Sequence, residues 1–227
     1  MTSNRTNRQP TKRGIPVALN INSNTNSTSS IINGSKRKSV LPKGWPSTLT
    51  FTDALIWVKE VPRQQQAALT EPGHDHKRIS TLRSHTRPLT RGPNRQTQIR
   101  LVSDPKHPAF GQRSLHASIN IPPHTHIIDY IGIVTPSSIS STTSDYIISF
   151  YDDLAIDAEL TGNEARFVND YRGVADRPTV QFDLYQDPVT GRVAMGLWSL
   201  GMRIMKGDEL LVSYGKGFWK ARTSDTS

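Results

Sequence analysis

Residues 163–173 read NEARFVNDYRG and set Arg166, Asn169 and Asp170 around Phe167 and Val168, in the most apolar half of the chain. Such groups are costly to bury without partners. A run of this kind between strand-like segments therefore points to something the polar groups bind or brace. Other constellations offer less. His74-Asp75-His76 and His124-Thr125-His126 are metal-ligand types, but neither has a third ligand at a sensible spacing. Asp152-Asp153 and Asp208-Glu209 are paired acids beside turn-like sequence and read as solvated turns. There is no P-loop, no dinucleotide glycine fingerprint after a strand and no G-x-S-x-G elbow. The chain has no Cys, which excludes disulfides, Cys-ligated zinc, iron–sulfur clusters and thiol catalysis.

The elements that must position these residues fall into two textures. Residues 1–45 are rich in Asn, Ser and Thr and poor in aromatics, and are expected to be disordered, because they cannot bury enough apolar area to offset ordering entropy. The stretch TFTDALIWVKEV, 50–61, predicts a helix. Thr50 with Asp53 resembles a capping box, and Phe51, Ala54, Leu55 and Val58 share a face until Pro62 ends it. Residues 63–98 read as an Arg-rich linker. From residue 99 on, short segments rich in Ile, Val, Tyr and Phe alternate with turn signals at a spacing of about ten residues. They are IRLV, HIIDYIGIV, DYIISF, TVQFDLY, GRVAMGLWSL and ELLVSYG. This predicts a mostly-β domain over 99–219, with a single helical turn near Asn163–Asn169 and a tail at 220–227.

Charge follows the same division. The net charge is +9. Residues 1–45 hold eight Lys/Arg and no acids, residues 46–98 eight against four, and residues 99–227 twelve against fifteen. A basic front suggests contact with nucleic acid or another polyanion, and a mildly acidic back suggests a basic substrate. Lys36-Arg37-Lys38 resembles a short nuclear-import signal. No apolar run approaches the length that spans a bilayer, so no membrane partner is expected.

Four stretches make sense together: HPAFGQRSLHA (107–117) followed by IPPHTHIIDYIG, SDYIISF (144–150), AIDAELTGNEARFVND (155–170) and MKGDELLVSYGKGFW (205–219). In this order they resemble the SET domain of protein-lysine methyltransferases over about residues 99–219. The sharpest matches are Ile156-Asp157-Ala158, Gly162-Asn163 and Arg166-Phe167-Val168-Asn169. Next come Lys206-Gly207-Asp208-Glu209-Leu210 before Tyr214-Gly215, and Asp129-Tyr130-Ile131-Gly132.

The resemblance implies a mostly-β fold of several small sheets with a pseudoknot-like C-terminal segment, preceded by a disordered basic tail and a short helical segment. It implies methyl transfer from S-adenosylmethionine to a lysine side chain of a protein, expected to be a histone, in the nucleus. Such chemistry needs a neutral amine, although a free Lys titrates near 10.4. An enclosed apolar channel lowers that value, and alignment supplies much of the rate. By resemblance Tyr214 stands next to the reacting amine and Tyr146 lines the lysine channel. Asn169 and Asp170 hold the methionine portion of the cofactor, and Phe110 and Gly111 approach it through main chain. Trp219, with Phe218, covers the adenine ring, and Arg166 braces the fold.

The sequence also departs from the family. Asp170 stands where members carry His, Ala109 replaces a glycine, and Val212 occupies a position that is aromatic in several members. The cysteine modules that often flank the domain are absent. These departures raise a second function class, a catalytically inactive SET fold acting as a chromatin or protein-interaction module.

Overall fold

The computed structural model describes residues 40–73, 92–187 and 190–215. The tails at 1–39 and 216–227 and the stretches 74–91 and 188–189 lie outside the described residues, and with them most of the basic tail, the import-like triplet, His74 and His76, half of the Arg-rich segment, and Phe218 and Trp219. Among the described residues no helix is long and apolar enough to cross a membrane, and no His/Asp/Glu cluster could hold a metal ion.

Among the described residues the chain forms thirteen short strands, one α-helix and two 3-10 turns. In chain order these are β1 (Thr50–Phe51), β2 (Ile56–Trp57), α1 (Arg63–Thr70), β3 (Thr97–Leu101), β4 (Arg113–Ala117), β5 (His126–Asp129), β6 (Ile133–Pro136), β7 (Ile147–Ser149), β8 (Leu154–Asp157), β9 (Thr161–Gly162), β10 (Asn169–Asp170), β11 (Val180–Gln186), β12 (Val193–Ser199) and β13 (Leu211–Val212). The 3-10 turns are Ser137–Ile139 and Glu164–Phe167. Five small sheets result, ordered β2-β6-β8-β7, β11-β12-β5, β3-β4, β1-β9 and β10-β13.

The helix predicted at 50–61 is not there. Residues 50–51 and 56–57 are strands, paired in parallel with β9 and β6, and the helix begins after Pro62 instead. The physical reason is partnership. Thr, Phe, Ile and Trp are strand formers, and two free edges of the domain were available to accept them. Pro62 lies at the N-terminal boundary of α1, where its missing N–H costs nothing. Described residues before residue 99 also pack into the domain. Val61 and Leu69 are buried in the main core, and Trp45, Leu49 and Trp57 pack against it. Trp45 meets both Phe51 and Phe167 edge-on, at 5.3 and 5.5 Å between ring centroids.

The core joins Leu115, Val134, Ile156, Val180, Leu197 and Leu210, all fully buried. Strand β12 is buried at every position, so it reads as a continuous apolar run rather than an alternating one. Gly132 has a steric cause: a Cβ there would collide with the backbone carbonyl of Asp157 on β8.

The last segment of the described chain threads between two others. Leu210 N–H donates to Leu115 O (2.8 Å) on one side, and β13 pairs in parallel with β10 on the other, Asn169 opposite Leu211 and Asp170 opposite Val212. This is the crossed, pseudoknot-like arrangement expected of the C-terminal segment.

Within the polar run at 163–170, Asn163 and Arg166 are satisfied by backbone. The Asn163 side chain donates to Asp129 O (2.8 Å) and accepts from the N–H groups of Ile131 and Ala165 (3.3 Å each), capping the 3-10 turn. Arg166 Nε donates to Ala158 O (2.7 Å) and an η nitrogen to Glu159 O (2.9 Å). It is therefore the brace the sequence suggested. Replacing Asn163 by Ala strands one buried carbonyl and two buried N–H groups. We expect a loss of about 2–4 kcal/mol, read as a fall in the urea midpoint at constant slope.

Candidate functional site

A cavity of about 420 Å³ opens between the two sheets that end in β7 and β11. Asp145, Tyr146, Ile147 and Ile148 form one wall, and Val180, Gln181 and Phe182 the opposite one. The 3-10 turn closes it with Ala165, Arg166 and Val168, and the C-terminal segment with Val212, Ser213 and Tyr214. Tyr130 completes a lining that holds three tyrosines. Tyr146 and Tyr214, singled out from the sequence, thus face one space although 68 residues separate them along the chain.

Each tyrosine is held. Tyr214 Oη donates to Val168 O (2.8 Å), and its backbone N–H donates to a carboxylate oxygen of Asp170 (2.7 Å). Tyr130 Oη donates to Tyr146 O (2.7 Å). The Arg166 guanidinium lies 4.0 Å from the centroid of the Tyr146 ring, a cation–π contact inside the wall. Burial raises the Tyr214 phenol well above its ordinary value, and nearby Tyr146, Tyr130, Asp170 and Glu209 push the same way. Tyr130 is raised by burial too. Both therefore stay neutral hydrogen-bond donors through the physiological range.

Asn169 and Asp170 follow the cavity wall along the chain, on β10. Asn169 is almost fully buried, at 3% exposure. Its Nδ2 donates to Glu209 Oε1 (2.9 Å) and more weakly to Arg113 O (3.4 Å). Its Oδ1 is buried with no partner. Asp170, where the family resemblance breaks, forms a two-pronged ion pair with Arg172 (2.8 and 3.0 Å to one η nitrogen) and accepts from Arg172 N–H (2.9 Å). Its charge is thus neutralised locally while it anchors the Tyr214 backbone. The aspartate ties Arg172 and the Tyr214 backbone together beside the cavity.

Phe110 and Gly111 lie in the turn between β3 and β4. Their N–H groups are already used, donating to His107 O (2.9 Å) and Val102 O (3.0 Å). Phe110 is 55% exposed, and Gly111 has φ of +78°, a conformation that favours glycine on backbone grounds alone. The turn is tied to Asn169 through two residues the sequence reading passed over. His107 Nε2 contacts Glu209 Oε2 at 3.1 Å, and Glu209 holds Asn169. The Asp208-Glu209 pair is therefore not simply a solvated turn. Asp208 does cap one, accepting from Met205 N–H (2.8 Å), but the Glu209 side chain is turned inward. His126, set aside as a lone ligand type, is buried against Asp129 at 2.9 Å.

Neither a family model nor a curated relative matches the sequence. Among solved structures, the chain is similar to the crystal structure of KRYPTONITE in complex with mCHH DNA, an H3(1-15) peptide and SAH. The TM-score is 0.50 at 15% identity, over 74% of this chain and 42% of that one. The chain has a SET-domain fold. It spans less than half the length of that structure. A second match is ctPRC2 in an autoinhibited conformation bound to S-adenosylmethionine, with TM-score 0.44 and 16% identity, over 59% of this chain and 17% of that one.

Within this SET fold, Tyr130, Tyr185 and Tyr214 share a raised phenol pKa, caused first by burial. Their ionisation is linked to unfolding. Below about pH 10 they are neutral in both states, and above it the unfolded chain alone ionises, so stability falls as pH rises. Tyr130, Tyr185 and Tyr214 should ionise only together with loss of folded structure, read as a tyrosinate absorbance rise that coincides with the change in circular dichroism.

Proposed function

We propose that the chain is a SET-type methyltransferase that moves a methyl group from S-adenosylmethionine to a lysine side chain of a protein, with a histone as the acceptor class. The observation that carries this reading is the tyrosine-lined cavity, whose wall includes Val168, the residue next in the chain to Asn169 with its buried, unpartnered oxygen.

The residues present suit the cofactor. An amide oxygen with no donor, enclosed and fixed by a carboxylate on its NH₂ side, is an acceptor prepared for a cationic or N–H-bearing group. When bound, S-adenosylmethionine supplies a methyl group activated on a sulfonium. What this chain supplies is position and environment. The walls of Val180, Phe182, Ile148 and Val212 disfavour an ammonium and so favour the neutral amine that attack requires. Tyr214, neutral and tied to Val168 O, fixes the inner end of the space, and Tyr146, stacked on Arg166, fixes one side. Asp145 adds a carboxylate to the wall, in keeping with a basic peptide. The end strands β7 and β11 flank the cavity and offer an extended chain two edges along which to lie.

Asp170 supports the enzymatic reading over the inactive module. Its carboxylate is paired, and the Tyr214 backbone depends on it. The KRYPTONITE complex holds an H3 peptide and DNA. That likeness, with the basic front of this chain, supports a chromatin acceptor, a nuclear location and a nucleic-acid contact through residues 1–45.

Labelled S-adenosylmethionine titrated into the purified chain should bind, and transfer of label to a histone mixture should follow. Tyr214→Phe is expected to keep cofactor binding and lower transfer about a hundredfold, since it removes one anchor of the aligned site. Binding without transfer to any acceptor would favour the interaction module, and absence of binding would sink the methyltransferase reading.

A further inference from the structure

His107 has a role that neither the fold nor the family resemblance assigns. It stands at the start of the turn that carries Phe110 and Gly111, and its side chain is 11% exposed. Both ring nitrogens are engaged. Nδ1 accepts from Ala109 N–H at 2.9 Å, so in the neutral ring the proton sits on Nε2, which donates to Glu209 Oε2 at 3.1 Å. The other oxygen of that carboxylate accepts from Asn169 Nδ2 at 2.9 Å. The result is a continuous chain: turn 107–112, His107, Glu209, Asn169.

This chain decides which way the Asn169 amide points. A carboxylate oxygen can accept from an NH₂ group but repels an amide oxygen. Glu209 therefore fixes Nδ2 toward itself and leaves Oδ1 on the other side, where it is buried and unpartnered. Glu209 in turn lies almost wholly inside the protein, and its second oxygen is held by His107. Without that hold the carboxylate is free to rotate away, and the amide loses its orientation.

We propose that His107 is a positioning residue for the cofactor site. By holding Glu209 it presents Asn169 Oδ1 as an acceptor for the cationic, amino-acid end of S-adenosylmethionine, and it locks the Phe110–Gly111 turn to the same point. The identity of the ligand rests on the function proposed above. The orientation of the amide does not.

Two substitutions separate the contacts of the ring. His107→Gln reaches Glu209 with its NH₂ group but loses the acceptor for Ala109 N–H. His107→Asn keeps that acceptor and loses the reach to Glu209. Binding of S-adenosylhomocysteine to the full chain is measured by calorimetry, together with the side-chain amide signal of Asn169 by NMR. His107→Asn should weaken binding about tenfold or more and shift or broaden the Asn169 signal, and His107→Gln should stay within about threefold of the parent with the signal in place. Should His107→Asn fail to fold, Glu209→Gln, which cannot accept freely from both partners, is expected to give the same loss. Parent-like binding in His107→Asn, or a weaker His107→Gln than His107→Asn, overturns the proposal, because the histidine then serves its own turn only. If the parent itself does not bind, the proposed function falls. An Asn169 signal unmoved by His107→Asn then also overturns the positioning role, and a moved one upholds it.

Discussion

The parallel pairing of Asn169–Asp170 with Leu211–Val212 is the contact on which the site depends. Two residues on each side are too few to hold a sheet alone. The pair persists because its flanks are tied. Tyr171 N–H donates to Val212 O (3.0 Å), Thr179 brackets Leu211 through its N–H and its hydroxyl, and the Asp170 carboxylate accepts the Tyr214 N–H. The C-terminal segment is clamped from the opposite side by β4. Tyr214 can reach Val168 O only because these ties place the two chain segments side by side.

That constraint also explains the density of buried polar groups around it. Asn163, Arg166, Asn169 and Asp170 are all buried, and in a generic apolar core each would be destabilising. Here most of their hydrogen-bonding capacity goes to backbone carbonyls and N–H groups that lie outside regular ladders. Short strands leave many such groups, since five small sheets have more ends than one large sheet. Polar side chains finish the accounting that the strands cannot. The exception is Asn169 Oδ1, whose isolation stands out because its neighbours are satisfied.

Much of this was legible in the sequence. The turn-punctuated β texture after residue 99 and the single helical turn at 164–167 follow from residue types and order, while the brace role of Arg166 and the roles of Tyr146 and Tyr214 came with the family resemblance. The segment at 50–61 was misread because its apolar spacing fits a helix face, while the free edges of β9 and β6 that claim it are set by residues about 80 to 110 positions further on. Glu209 and His107 were passed over for a similar reason. An acid in a turn-like KGDE run and a histidine before a proline look solvated until the fold shows that they face each other.

The sequence by itself determined the local vocabulary: where the chain turns, which segments can be strands, and which side chains carry hydrogen-bonding or aromatic chemistry. These are properties of residue type and near neighbours, and they need no knowledge of the rest of the chain. Only the tertiary structure decided which strands pair, that Asp170 is neutralised by Arg172 while holding Tyr214, and that His107 and Asn169 meet through one carboxylate. Those outcomes rest on contacts between residues tens of positions apart. Their energies depend on geometry and burial, which a linear pattern does not carry.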